Sequence, residues 1–345
     1  MSHKNFYTLL VVGALLSVVA APFPGIAMWL GFTFAAYSVI ANDSIQTLGT
    51  FLAANKKVPV WILWLFVGGL LIATSSYSWW VHGGDVTFER LSSKGFDQAP
   101  ASFTPLQIMA PLFLLLLTRY AIPVSTTFLI LSAFATSASS IYGVVQKSVS
   151  GYFLAFASSM ALWVIGSEVM KRYEDQPPAR LWYPLQWVTS GALWSIWIMQ
   201  DAANVAVFLP RRLSIGEAAI YLVILSGTLY FLLRGRGGEI QQVVEEKTRV
   251  ADVRQATLID MVYALILYYF KVKSSIPMST TWVFIGLLAG REVGFKLRER
   301  EQTSWKSTRN IIFKDIARVS LGLAVSVLLA LLINPTIRSE IFFSF

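Results

Sequence analysis

The feature that most constrains this chain is a series of apolar stretches of bilayer-crossing length that recurs from end to end. A hydrocarbon core about 30 Å thick takes about 20 helical residues to cross. Charged residues make up only 14% of the 345, against 55% apolar. Soluble domains carry about 25% charge, so this chain has too few charges to cover a water-facing globule. Mean hydropathy is +0.60. The expectation is an all-α, multi-pass protein of the cell membrane.

There are no cysteines, which excludes disulfides, thiolate metal sites and thiol nucleophiles. Two histidines, His3 and His82, argue against a histidine metal centre. The net charge of +9 could suggest nucleic acid, but its placement does not. Lys56 and Lys57, Lys171 and Arg172, Arg211 and Arg212, and a run from Arg291 to Arg318 stand at segment ends and connections. Interface anchoring and the positive-inside bias explain that pattern, so the expected partner is a lipid bilayer and not nucleic acid.

Apolar runs and breakers divide the chain into a leading helix and two groups of five segments. The first group covers 25–53, 58–80, 104–120, 125–143 and 151–170; the second covers 182–209, 215–233, 252–270, 279–294 and 311–332. This gives a leading transmembrane helix at 1–24, a first repeat at 25–170, a linker at 171–181 and a second repeat at 182–345. The N-terminal stretch could be a signal peptide, but further membrane segments follow directly, so an uncleaved helix is expected. Residues 81–103 read as an extramembrane loop. Residues 234–254 read as a solvated, cytoplasmic-type loop, and 291–310 as a charged connector.

The two groups match in register. Asp201 lies 158 residues after Asp43 (201 − 43), and Ser279 lies 154 after Ser125 (279 − 125). An odd number of crossings per copy turns the second copy upside down. Inverted repeats with interrupted or short segments at corresponding places are the sequence signature of a secondary transporter.

Each copy carries an amide–Asp–x–x–amide motif and then Pro–x–Ser–Thr–Thr. The first copy has Asn42-Asp43-Ser44-Ile45-Gln46 and Pro123-Val124-Ser125-Thr126-Thr127; the second has Gln200-Asp201-Ala202-Ala203-Asn204 and Pro277-Met278-Ser279-Thr280-Thr281. A carboxylate at membrane depth costs about 2.5 to 3.5 kcal/mol even on the mild insertion scale, so two in matching interruptions mark a site. Ser after proline suits a helix N-cap, and helix N-termini hold anions through free N–H groups and the dipole. Two such ends could cradle a tetrahedral oxyanion without any arginine. Two aspartates and an anion then need bound cations, either protons or Na+. Asn42, Asp43, Gln200 and Asp201 carry the oxygen ligands that suit Na+. No covalent cofactor is expected.

These motifs resemble the inorganic phosphate transporter (PiT) family of cation-coupled anion symporters. The family repeats a Gly-Ala-Asn-Asp-Val-Ala-Asn-Ala-Phe-Gly-Thr type of motif and a Pro-Val-Ser-Thr-Thr-His type, once in each inverted half. Ala41-Asn42-Asp43 through Gln46, then Gly49-Thr50, are similar to the first, and Gln200-Asp201-Ala202-Ala203-Asn204 is a weaker copy. The two Ser-Thr-Thr runs match the second. Gln46 and Gln200 stand where the family has Asn, Phe128 and Trp282 where it often has His, and Val207 where it has Gly. The resemblance implies phosphate import coupled to Na+ or H+, with sulfate or another oxyanion as the alternative substrate.

The substrate-binding set is then Asn42, Asp43, Gln46, Ser125, Thr126, Thr127, Gln200, Asp201, Asn204, Ser279, Thr280 and Thr281. An enzyme acting on a phosphorylated lipid would need a nucleophile and base outside these motifs, and no His–Asp or Lys–Ser constellation offers one; the chain is not expected to be an enzyme. A passive anion channel is a third option. Arg119 and Lys273, each six residues before a motif serine, read as interfacial snorkelling side chains. Asp260, with no counterpart in the first copy, reads as a solvated helix end in preference to a proton or cation relay. The oligomeric state is not written in the sequence, and a homodimer stays open.

Overall fold

The computed structural model describes residues 3–92, 96–120, 122, 124–135, 138–171, 176–235, 252–273, 279–298 and 305–343. Among these, every regular element is helical. In chain order they are α1 (His3–Ala20), α2 (Pro24–Ala54), α3 (Val60–Val81), α4 (Pro105–Arg119), α5 (Ala138–Lys171) and α6 (Trp182–Ala206). There follow α7 (Ile215–Arg234), α8 (Val253–Lys273), α9 (Thr280–Leu297), α10 (Trp305–Ile333) and α11 (Pro335–Phe343). A π-helical turn (Thr127–Leu131) and a 3-10 turn (Ser132–Phe134) lie between α4 and α5.

Among the described residues, five stretches are long and apolar enough to cross a membrane: Pro24–Ser44, Val60–Val81, Ser148–Gly166, Ile215–Arg234 and Thr308–Ile333. Their outward faces carry large apolar side chains, with Ile165 73% and Val223 71% exposed. A soluble monomer rarely shows contiguous apolar surface on that scale. This is the surface of an all-α membrane protein. Local chemistry sets the helix starts. Thr104 with Gln107 and Ser214 with Glu217 form reciprocal capping boxes at α4 and α7, each satisfying two orphan N–H donors.

Two apolar clusters share α6. One packs Trp194 and Trp197 with Ile40, Val67 and Leu225; the other packs Leu193 with Tyr263 and Val283. Helices in lipid gain little from mutual hydrophobic burial, so close packing and hydrogen bonds hold them together. The α5–α9 contact shows this most clearly. Gly286, Gly290 and Gly294 repeat every fourth residue along one face of α9. A Cβ on Gly286 or Gly290 would collide with the carbonyl oxygen of Tyr152 or Phe156. The Ser159 hydroxyl then donates to the Leu287 carbonyl at 2.7 Å.

Several expectations change. The helices α2 and α6 run unbroken through Asn42-Asp43 and Gln200-Asp201, so no backbone carbonyls are freed there. Residues 138–150 belong to α5 rather than to a separate segment, and the chain breaks at Ala135 instead. The 81–103 loop is not simply solvated: Asp85, Val86, Arg90, Leu91, Phe96 and Phe103 are buried. The charged connector narrows, because α9 runs to Leu297 and α10 starts at Trp305. Of the 234–254 loop, residues 236–251 lie outside the described residues, as do Pro123, Pro277 and Met278.

Candidate functional site

Asp43 sits on α2 with no exposed surface. Its Oδ1 accepts from Asn42 Nδ2 at 2.6 Å, and its Oδ2 accepts from Thr126 Oγ1 at 3.0 Å and Trp197 Nε1 at 3.3 Å. Asn42 Nδ2 also donates to the Val124 carbonyl, and its Oδ1 accepts from Thr118 Oγ1. That carbonyl takes a second hydrogen, from Thr281 Oγ1 at 3.0 Å. One backbone oxygen therefore ties α2 to the start of α9.

Asp201 on α6 accepts at Oδ1 from Asn204 Nδ2, 2.7 Å away and one turn along. The same Nδ2 approaches Thr126 Oγ1 at 2.9 Å and Thr127 Oγ1 at 3.2 Å. Thr126 thus joins the two halves: its hydroxyl donates to Asp43 and accepts from Asn204, which holds Asp201. Thr127 and Thr280 stand close enough to Asp201 to interact with it. The side chains of Asn42, Asp43, Thr126, Thr127, Asp201, Asn204 and Thr281, drawn from all four motifs, form one buried cluster.

The two motif serines do the same local work. Ser125 Oγ accepts from the Phe128 N–H at 3.3 Å, and Ser279 Oγ from the Trp282 N–H at 3.4 Å. What they open differs. Ser279 caps α9, eighteen residues long, whereas Ser125 opens only the five-residue π turn. Only the second run therefore starts a long helix, while the first starts a short turn and brings its threonine hydroxyls to the aspartates.

Two expected members point elsewhere. Gln200 Nε2 donates to the Leu267 carbonyl of α8 at 2.8 Å, so this amide is committed away from the carboxylates. The backbone N–H of Ser279 donates to Ser148 Oγ on α5. Arg119, at the C-terminal end of α4, stacks its guanidinium over the Phe6 ring at 5.4 Å. The side chain of Lys273 lies outside the described residues.

Three buried oxygens on α2 and α6 have no hydrogen-bond partner among the described residues: Gln46 Oε1, about one turn along α2 from Asp43, and Asp201 Oδ2 and Asn204 Oδ1. Buried acceptors are rarely left so, and each costs about 1 to 3 kcal/mol. Carboxylate and amide oxygens are the ligand type a small hard cation takes, so these residues fit Na+. Gln46 and Asn204 replace Gln200 in that candidate set. No three His, Cys, Asp or Glu side chains gather as a metal cluster among the described residues.

No family model, curated protein or solved structure matches this chain.

The sequence reading missed Arg90. It lies in the 81–103 loop yet is only 5% exposed. Asp85 Oδ1 accepts from Thr87 N and Oγ1 and from Glu89 N, winding a tight turn. Phe88 and Glu89 both take positive φ, at 55° and 58°, and Arg90 follows directly. Burial lowers its guanidinium to about 10, while the Asp201 charge pulls the other way. An arginine does reach the electrostatic field of the site. The only local sign of it was the Asp-x-Thr turn chemistry.

Proposed function

We infer that this chain is a multi-pass secondary transporter of the cell membrane that imports inorganic phosphate, or a similar oxyanion, by symport with Na+ or H+. The reading takes the two motif pairs as inverted repeats of the kind the inorganic phosphate transporter family carries. One observation carries it: Thr126 and Asn204, from opposite halves of the sequence, link Asp43 to Asp201 inside a buried cluster that also holds orphaned oxygens. Two carboxylates and an oxyanion share such a volume only when cations accompany them. That requirement makes anion entry conditional on cation entry, which is coupling.

In this reading the orphaned oxygens of Gln46, Asp201 and Asn204, with Asp43, receive the cation. The threonine hydroxyls and the start of α9 hold the oxyanion, and Arg90 adds positive charge beside Asp201. Alternating access comes from rocking α2 and α6 against the Ser-Thr-Thr elements. Buried carboxylates duplicated beside hydroxyl and N–H donors favour coupled transport over chemistry on a phosphorylated lipid.

The test is radiolabelled phosphate uptake into proteoliposomes under an inward Na+ gradient, an inward H+ gradient or neither. Accumulation under one cation only, lost in Asp43→Asn and Asp201→Asn, is the expected result. Sulfate uptake in place of phosphate keeps the mechanism and assigns the departures at Gln46, Phe128 and Trp282 to substrate choice. Anion flux that follows the membrane potential without any cation gradient makes the protein a channel. No oxyanion flux from folded protein sinks the reading.

A further inference from the structure

Asp260 belongs to none of the four motifs, and it is not a solvated helix end. It is 1% exposed on α8, two turns inside the helix. Thr50 Oγ1 of α2 donates to its Oδ1 and Ser190 Oγ of α6 to its Oδ2, each at 2.5 Å. The walls are otherwise apolar: Ala256 and Ile259 pack with Trp163 and Phe295, and Leu193 packs with Tyr263.

This carboxyl lies on a polar stripe that leads away from the Asp43–Asp201 cluster. On α6 the stripe runs Asp201, Trp197, Ser190 and Gln186; on α2 it runs Asp43 and Thr50, and Asn55, just past the helix end, joins it through Gln186. At about 1.5 Å of rise per residue, Ser190 is about 16 Å from Asp201 along the helix, and Thr50 about 10 Å from Asp43. Beyond Asp260 the stripe ends where α2 stops and α6 starts. There Asn55 Nδ2 donates to Gln186 Oε1 at 2.9 Å, and Trp187 Nε1 donates to Asn55 Oδ1. Gln186 Nε2 is a buried donor with no partner among the described residues, on the same face of α6 as Ser190.

We propose that Asp260 is a proton-binding site, distinct from the Asp43–Asp201 cluster, loaded along this stripe from the membrane face at the end of α2. The assignment rests on the symport reading and names the proton as its driving ion. The chemistry selects a proton over a metal ion. Asp260, Thr50 and Ser190 offer four oxygens, and two of these already spend their hydrogens on the carboxyl. That is too few to replace a hydration shell, whereas a single proton neutralises the group outright.

No described Lys, Arg or His forms an ion pair with Asp260. The elements around α8 bring few other charges. Arg291 of α9 pairs with Glu292 and lies over the Phe295 ring, and Arg254 of α8 is bound to Asp252. From α2 the titratable groups are Tyr37 and Asp43, from α6 Tyr183 and Asp201, and from the described side chains of α5 Tyr142 and Tyr152. Tyr263, one turn on from Asp260 and within its field, donates its hydroxyl to the Thr280 carbonyl at 2.9 Å. Movement of α8 on proton uptake is thereby passed to the end of α9 that faces Asp201.

The experiment joins infrared difference spectroscopy of the reconstituted protein with transport. Wild type should show the carbonyl stretch of a protonated carboxyl that grows as pH falls. Asp260→Asn should lose that band and lose phosphate accumulation under an inward pH gradient, yet keep phosphate exchange at equal pH. Asp260→Glu should keep a displaced band and recover part of the driven uptake. An unchanged band in Asp260→Asn, or pH-driven accumulation equal to wild type, overturns the proposal. If wild type moves no oxyanion at all, the symport reading fails and the band alone decides: its loss in Asp260→Asn upholds the proton site, its persistence refutes it. Should Asp260→Asn not fold, an unmoved band in both Asp260→Glu and Ser190→Ala refutes it equally.

Discussion

The Thr126 hydroxyl donates to Asp43 Oδ2 at 3.0 Å, across 83 residues of sequence. The same oxygen accepts from Asn204 at 2.9 Å, so a single side chain relates the two aspartates that the two halves of the chain supply. Removing that oxygen should uncouple them without opening a large cavity, because valine has nearly the same shape.

Thr126→Val is therefore expected to leave the fold in place and damage function. Asp43 Oδ2 keeps only Trp197, and Asn204 loses one acceptor. At about 1 to 3 kcal/mol for a buried group left unsatisfied and tenfold per 1.4 kcal/mol, uptake should fall by about 5- to 150-fold. Thr126→Ser, which keeps the hydroxyl, should retain most of it. Uptake kinetics beside thermal unfolding in detergent separate the two effects. A Thr126→Val protein with normal uptake means that the link is ornamental.

The turn before Arg90 gives a second test. Glu89 holds φ at 58°, and a left-handed residue other than glycine costs about 1 to 2 kcal/mol. Its contact with His82 is a 3.7 Å approach at a largely exposed side chain, which contributes little. Glu89→Gly should therefore raise the unfolding temperature or leave it unchanged, with uptake kept. Asp85→Ala, which strips three donors of their acceptor, should lower both stability and uptake by loosening Arg90. Thermal unfolding and uptake measured on the same preparations decide it; a less stable Glu89→Gly rejects the strain argument.

What was legible in the sequence was the chemistry that repeats. Asp43, Asp201, Thr126 and Asn204 stood out because carboxylates and hydroxyl runs are expensive in apolar segments and recur at matched spacing. What was illegible was whatever depends on distant partners. Asp260 looked solvated because Thr50 and Ser190, which enclose it, lie 210 and 70 residues away. Arg90 looked like loop because its burial depends on the packing of 81–103 against the α6–α7 connection, where Leu213 N–H meets the Gly84 carbonyl. The helix α5 was divided at Gly143 and Gly151, but helix-breaking residues are tolerated where neighbouring helices satisfy the backbone.

The α5–α9 contact should be the least tolerant interface to added volume. Gly290→Ala places its methyl group against the Phe156 carbonyl, backbone that cannot turn aside. Overpacking of this kind costs about 1 to 3 kcal/mol. Gly216, in the first turn of α7, meets nothing within 4 Å, so Gly216→Ala should be neutral or gain up to about 1 kcal/mol from helix propensity. Thermal unfolding of the pair in one detergent checks the contrast; equal stabilities would mean that α5 and α9 are not packed as closely as described.

The start of α8 should carry a pH dependence of its own. Asp252 accepts from the Arg254 backbone N–H at 2.7 Å and from its guanidinium at 2.5 to 3.0 Å. Burial pushes the Asp252 carboxyl up, but the hydrogen bonds and charge of Arg254 outweigh it and hold the group below its usual value. A carboxyl lowered in the folded state stabilises fully above its unfolded value, about 3.9. That contribution is lost as pH falls through the lower folded value. Asparagine keeps the capping oxygen and removes the charge, so Asp252→Asn should cost at most about 0.5 kcal/mol near neutral pH, because the pair is partly solvated. As pH falls below about 3.9 the difference between variant and wild type should shrink. Unfolding midpoints at pH 7, 5 and 3 would show this, and a difference that grows toward acid would assign Asp252 the opposite role.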